Sequence, residues 1–137
     1  MNKYRATKRE IDNISFDSVA ESNLYVAIKS LGFKNIVCQE KILIFPGDKV
    51  IKPVYWKVDF YLPEINIYLE YKGSVTREFK FKMLLLYQNN SAIFDNLLFV
   101  TDKHQDNFLL KKPSYSIQEI KELSQLLIQT NRRINNT

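Results

Sequence analysis

Three residues in the middle of the chain could together hold a hard cation and act on a phosphodiester: Asp59, Glu70 and Lys72. Asp59 lies in VYWKVDFYL, residues 54–62, where Val54, Trp56, Val58, Phe60 and Leu62 alternate with Tyr55, Lys57, Asp59 and Tyr61. A period of two predicts a strand with one apolar face. IYLEYKG, starting at Ile67, alternates in the same way, and PEIN at 63–66 can turn between the two. In an antiparallel hairpin with that four-residue turn, Leu62 faces Ile67, Asp59 faces Glu70 and Lys57 faces Lys72. Facing residues project to one side with Cβ atoms about 5 Å apart. Two carboxylates therefore converge, and the Lys72 ammonium lies one strand step beyond Glu70.

Like charges that close cost energy unless something neutralises them. Mg²⁺ is suited to this: it prefers oxygen ligands at about 2.1 Å and takes one or two carboxylates plus waters and substrate phosphate. Asp59 and Glu70 supply that number, the Tyr71 backbone carbonyl offers a further oxygen, and Mn²⁺ is expected to substitute. Such an ion polarises a phosphodiester and lowers the pKa of a bound water. Lys72 could hold or deprotonate that water, or steady charge developing on phosphorus. The same four charges could instead be cross-strand ion pairs on a solvated face, and periodicity alone favours that blander account. Against it stands the company of Glu70: an acidic pair beneath a helix needs a reason.

The elements around the hairpin follow from pattern and caps. SVAESNLYVAIKSLG predicts a helix from Asp17 or Ser18, with Ala20, Leu24, Ala27, Ile28 and Leu31 on one side and Gly32 as its stop. Ser18 and Glu21 have capping-box spacing, as do Ser116 and Glu119 at the start of SIQEIKELSQLLIQ. Residues 36–45 predict a strand broken near Gln39–Lys41, and Pro46-Gly47-Asp48 a turn. A helix is expected over 76–90, with Phe79, Met83, Leu86 and Tyr87 near one side, then a buried strand in LLFVT, 97–101. Asp102 to Tyr115 reads as mostly loop, and Ile117, Ile120, Leu123 and Leu127 form the stripe of the last helix. Residues 1–15 read as an arm with a short strand and an Asp12-Asn13 turn, and 131–137 as a frayed tail. The whole, 1–137, is one α/β domain, a mixed central sheet flanked by helices.

Composition removes several alternatives. The chain has 137 residues, 45% hydrophobic and 26% charged, too apolar for disorder and too short for a large internal cavity. One cysteine, Cys38, excludes an internal disulfide or a cysteine-rich zinc site, and one histidine, His104, excludes a multi-histidine centre. Cys38 reads as a strand residue of the core and His104 as a surface residue. No apolar run has the length of a membrane span, no secretory leader is expected, and a cytoplasmic location fits. The net charge of +5 favours a polyanionic partner. Lys3, Arg5, Lys8 and Arg9 crowd the start, and Arg77, Lys80 and Lys82 follow the hairpin; both groups are candidate phosphate contacts, or solvated faces. Tyr55 and Tyr61 share the face of Asp59 and could stack on bases.

Asp59, ten intervening residues and Glu70-Tyr71-Lys72 resemble the signature of the PD-(D/E)XK nuclease superfamily, which includes restriction enzymes, Holliday-junction resolvases and transposase-associated nucleases. Val58 stands where a proline often precedes the aspartate. The opening KYRATKREIDNISFDSVAE, with Phe16, Ser18 and Glu21, and the later Thr76, Lys80 and Lys82 are similar to a phage-borne endonuclease-like family. The resemblance spans about residues 2–101 and implies a restriction-endonuclease-like core with metal-dependent DNA cleavage in a bacterial or phage-infected cell. It makes Glu21 a helix-borne acid that reaches the metal, Asp59 and Glu70 the central ligands, Lys72 the catalytic lysine, and Gln39 a match to a polar residue on the first core strand. Glu21 has a rival role as a cap. A symmetric homodimer would present two sites and suit a Holliday junction or branched DNA. The rival functions are a DNA-binding protein without activity and an interaction domain whose hairpin carries only ion pairs.

Overall fold

A computed structural model of the protein describes residues 9–135. Two short strands, β1 (Arg9–Ile11) and β2 (Ile14–Phe16), form a hairpin around Asp12 and Asn13, whose φ of 55° and 65° place both in the left-handed region that this tight turn requires. The hairpin leans on α1 (Val19–Ser30): Tyr25 donates to the Asp12 carboxylate at 2.9 Å, the Lys29 ammonium also bonds it, and Phe16 is buried. The expected arm is therefore a packed hairpin from Arg9 onward. Lys3, Arg5 and Lys8 lie outside the described residues.

A six-stranded mixed sheet follows, with β3 (Val37–Phe45), β4 (Val54–Leu62), β5 (Ile67–Tyr71), β6 (Leu97–Val100), β7 (Gln105–Leu109) and β8 (Lys112–Tyr115) in the spatial order β3-β4-β5-β6-β8-β7. The first three strands are antiparallel neighbours; β6 lies parallel to both β5 and β8. The parallel step from β5 to β6 is made through α2 (Arg77–Asn89) and α3 (Ser91–Asp95), and the chain ends in α4 (Ile117–Asn135). Two apolar clusters sandwich the sheet. Phe79, Met83 and Leu86 of α2 and Phe94 of α3 pack with Ile42, Ile44, Trp56, Val58, Leu97 and Phe99. Leu24, Tyr25 and Ile28 of α1 and Ile120 of α4 pack with Phe60, Leu62, Leu69 and Val100. The domain is thus mixed α/β with four helices among the described residues, none long and apolar enough to cross a membrane.

The stretch after Asp102 is a hairpin, β7–β8, turning on Leu110 and Lys111 at φ of 50° and 61°. α4 continues through residues 131–135, where a frayed tail was expected, and Ser124 rather than Leu127 occupies its buried stripe: Ser124 is 5% exposed and Leu127 37%. Tyr87 points outward from α2, being 52% exposed. β3 is one strand from Val37 to Phe45, and the expected break near Gln39 is a local irregularity within it: Gln39 has φ 56° and is missing from the pairing with β4.

Candidate active site

The central hairpin has the register that its turn length dictates: Leu62 pairs with Ile67, Tyr61 with Tyr68 and Phe60 with Leu69. One step further the ladder stops, at Asp59 and Glu70. Side chains take over the bonding there. The Asp59 N–H donates to Glu70 Oε1, and the Tyr71 N–H donates to Asp59 Oδ2, both at 2.9 Å. Each carboxylate thus satisfies a main-chain donor that an opened ladder would strand. β4 also changes core at this point: Trp56 and Val58 belong to the α2 cluster, Phe60 and Leu62 to the α1 cluster.

A cleft of about 470 Å³ opens in the fork between β4 and β5, with Asp59, Glu70 and Lys72 in its lining. Lys72 Nζ lies 3.2 Å from Glu70 Oε2 and 4.3 Å from the centre of the Phe79 ring, which fixes the ammonium between a charge and an aromatic face. The expected opposition of Lys57 to Lys72 is not formed, because the ladder has ended; Lys57 pairs instead with Lys41 of β3, and Lys57 and Lys72 meet only as walls of the cleft.

Glu21 joins the pair from α1. Its N–H takes the Ser18 hydroxyl as a cap at 3.1 Å, but its carboxylate is buried and accepts from Gln39 Nε2 at 3.1 Å. The second motif of the same spacing behaves differently: Ser116 N–H donates to Glu119 Oε1 at 3.0 Å and Glu119 N–H to Ser116 Oγ at 3.2 Å, a closed capping box. Gln39 Nε2 also reaches Asp59 Oδ1 at 3.5 Å, so this one amide spans the acids of α1 and β4. Its φ of 56° within a strand is a costly conformation for a side-chain-bearing residue.

Three carboxyl groups now share one corner with one ammonium. Burial raises each to about 7: Glu21, further raised by the Asp59 charge; Asp59, further raised by Glu70; and Glu70, held back chiefly by Lys72. The Tyr71 and Asp59 N–H groups oppose the rise at Asp59 and Glu70 respectively. Glu21 and Asp59 are close enough to influence each other's titration, and the Gln39 amide bridges them. Burial, and then the charges of Glu21 and Asp59, raise Cys38 as well, which argues against a thiolate nucleophile.

The remaining candidates divide. Lys82 lines the cleft and pairs with Glu78 at 3.2 Å, while Arg77 and Lys80 sit on the exposed side of α2 and are not in the cleft lining. Arg9 bonds Asn23 at 3.3 Å, on the β1–α1 surface. Tyr71 enters the site through its N–H and sends its hydroxyl to Asp102 at 2.9 Å. Tyr61 is stacked on Tyr68 at 4.3 Å and bonded to Asn66, so it is not free for a base; Tyr55 is 46% exposed. His104 bonds Asp106 and Glu119 at the surface.

Among the described residues no three His, Cys, Asp or Glu side chains already surround a single ion position. The donor chemistry nevertheless fits a hard divalent cation: the groups are all oxygen donors, Glu21 and Glu70 are buried and Asp59 half-buried, and they carry more negative charge when ionised than Lys72 can offset. Two carboxylates with waters complete a Mg²⁺ shell without a third. Comparison of the chain with protein-family models, curated proteins and solved structures finds no match in any of the three.

Proposed function

We propose that this chain is a metal-dependent endodeoxyribonuclease with a restriction-endonuclease-like core of the PD-(D/E)XK type. The observation that carries the proposal is the opened ladder at Asp59 and Glu70, which sets a half-buried and a buried carboxylate and the Lys72 ammonium around one cleft. A structural ion pair needs one acid for one base; this corner has three acids, two of them on neighbouring strands and one brought from α1.

Asp59 and Glu70 would hold Mg²⁺ or Mn²⁺, with the Tyr71 carbonyl as a further oxygen and Glu21 as the outer acid. When bound, the ion supplies positive charge that polarises a phosphodiester and acidifies a water. The chain's own groups do the rest. Lys57, Lys72 and Lys82 ring the cleft with positive charge that binds and orients phosphate. Lys72, held 3.2 Å from Glu70, faces the charge that develops on phosphorus. Glu21, raised to about 7 chiefly by burial, can hold or release a proton near neutral pH beside Asp59. A branched substrate such as a Holliday junction, served by a homodimer in a bacterial or phage-infected cell, remains the specific form of this proposal.

A cleavage assay on linear duplex, single strand, flap and four-way junction, with and without Mg²⁺, tests it. Cleavage is expected with Mg²⁺ or Mn²⁺ and is lost in Asp59→Asn and Glu70→Gln. Salt-dependent DNA binding without cleavage under either metal would instead assign a binding protein, and neither binding nor cleavage an interaction domain.

A further inference from the structure

The β3–β4 hairpin carries a set of features of which the catalytic corner uses only Lys57. Beyond Asp59 its outward face runs through a rung of two lysines, Lys41 and Lys57, directly opposite each other in register. Like charges so placed repel, and among the described residues neither lies within ion-pair distance of a carboxylate. The next rung pairs Leu43 with Tyr55, 41% and 46% exposed. Lys41 Nζ lies 4.2 Å from the Tyr55 ring centre. At strand spacing the lysine rung is about 7 Å and the tyrosine about 13 Å from Asp59, and both Tyr55 and Lys57 line the cleft.

The hairpin tip is tightly built. Asp48 N–H donates to the Ile51 carbonyl at 2.8 Å, and Asp48 Oδ1 accepts from the N–H groups of Val50 and Ile51, each at 2.7 Å. Gly47 has φ 84°, and a Cβ there would lie 2.8 Å from the Pro53 nitrogen. This turn presents Val50 at 90% exposure and Ile51 at 50%, between Lys49 and Lys52. An apolar tip on a fixed turn, flanked by ammonium groups, is the chemistry of a wedge that enters a base step while its neighbours hold phosphates. An exposed ring beside a lysine is that of a platform for an unstacked base.

We propose that the β3–β4 arm grips DNA where duplex gives way to single strand. The Lys41–Lys57 rung holds the phosphate next to the catalytic corner, Tyr55 stacks an unpaired base, and Val50 wedges where the strands part. The proposal rests on the nuclease reading for the identity of the ligand as DNA, and it names the substrate class: duplex with an unpaired segment beside the scissile bond. Continuity with the acid-lined cleft favours DNA over an anionic membrane, which the same lysines and apolar tip could also touch.

Fluorescence anisotropy in EDTA separates binding from cleavage. The probes are a splayed fork, its single strand as DNA and as RNA, a blunt duplex, and anionic phosphatidylserine vesicles as competitor. The fork is expected to bind most tightly. Tyr55→Ala weakens fork and single-strand binding about tenfold, and Tyr55→Phe leaves it within about twofold. Lys41→Ala with Lys57→Ala lowers the slope of log affinity against log salt by about 1.4. Val50→Ser removes the preference for the fork over blunt duplex and spares single-strand binding. Lys34→Ala, which removes an exposed charge outside the arm and the cleft lining, serves as the control and keeps wild-type affinity. Arm variants that bind the fork like wild type, an equal loss in Lys34→Ala, or a preference for RNA or vesicles would each overturn the proposal. If arm variants lose binding while wild type cleaves nothing with metal, the arm stands and the nuclease reading falls.

Discussion

Replacing Asp59 by asparagine is expected to abolish cleavage and at the same time to stabilise the metal-free protein above neutral pH. Asparagine keeps the shape and, through Oδ1, the bond from the Tyr71 N–H, which now goes to Asp59 at 2.9 Å. It removes a charge that burial and Glu70 disfavour. Asp59 is raised from 3.8 to about 7 in the folded chain. A carboxyl with a raised folded pKa imposes no penalty below its unfolded value, where both states are protonated. The penalty grows as pH rises between about 4 and 7 and is complete above that window. Three units correspond to about 4 kcal/mol at 1.36 kcal/mol each. The three acids titrate as a coupled group, so the share recovered by removing one charge is smaller, on the order of 2 kcal/mol. For a domain of this size that is a rise of about 6–8 °C in Tm. Thermal unfolding in EDTA at pH 4 and pH 8, for wild type and Asp59→Asn, measures it directly. The gain should be present at pH 8 and nearly absent at pH 4, and millimolar Mg²⁺ should raise wild type at pH 8 more than the variant. A variant that melts lower at pH 8, or that gains equally at both pH values, would show that the Asp59 charge does not destabilise the fold.

Other substitutions probe the neighbours. Lys72→Met should reduce cleavage by about 10²-fold or more and push Glu70 further above its present value of about 7, since Lys72 is the largest influence holding it down; a carboxyl-stretch titration by infrared difference spectroscopy reads that shift. Gln39→Gly should relieve the φ of 56° and leave stability unchanged or raised by about 0.5–1 kcal/mol, while losing the amide that spans Glu21 and Asp59 and so lowering kcat; unchanged kcat would remove Gln39 from the site. Tyr71→Phe deletes only the hydroxyl bond to Asp102 and should cost about 1 kcal/mol in denaturant unfolding with cleavage retained.

The hairpin that frames the site was legible because its two strands alternate cleanly and its turn has an even length, which leaves one register for Asp59 and Glu70. What could not be read was the ladder's end. Nothing in the alternation marks Asp59 as the point where carboxylates replace main-chain partners, so the facing of Lys57 and Lys72 was expected and is not formed. Glu21 shows a similar limit. Its spacing from Ser18 equals that of Glu119 from Ser116, and only tertiary packing of α1 on the sheet sends one carboxylate to the cluster and the other to its cap. The β7–β8 hairpin was missed because Leu110 and Lys111 take left-handed conformations usually given to Asn or Gly, and because Gln105, Asp106 and Asn107 are exposed and do not alternate with apolar residues. α3 is five residues long, below the length at which periodicity is informative.

Crystals soaked in Mn²⁺ and measured at the manganese absorption edge address the central claim with least intervention. An anomalous peak is expected in the cleft within coordination distance of both Asp59 and Glu70, absent from Glu70→Gln crystals treated alike. A peak bound elsewhere, or no peak at saturating Mn²⁺ with the two carboxylates still bonded to the main chain, would contradict the claim.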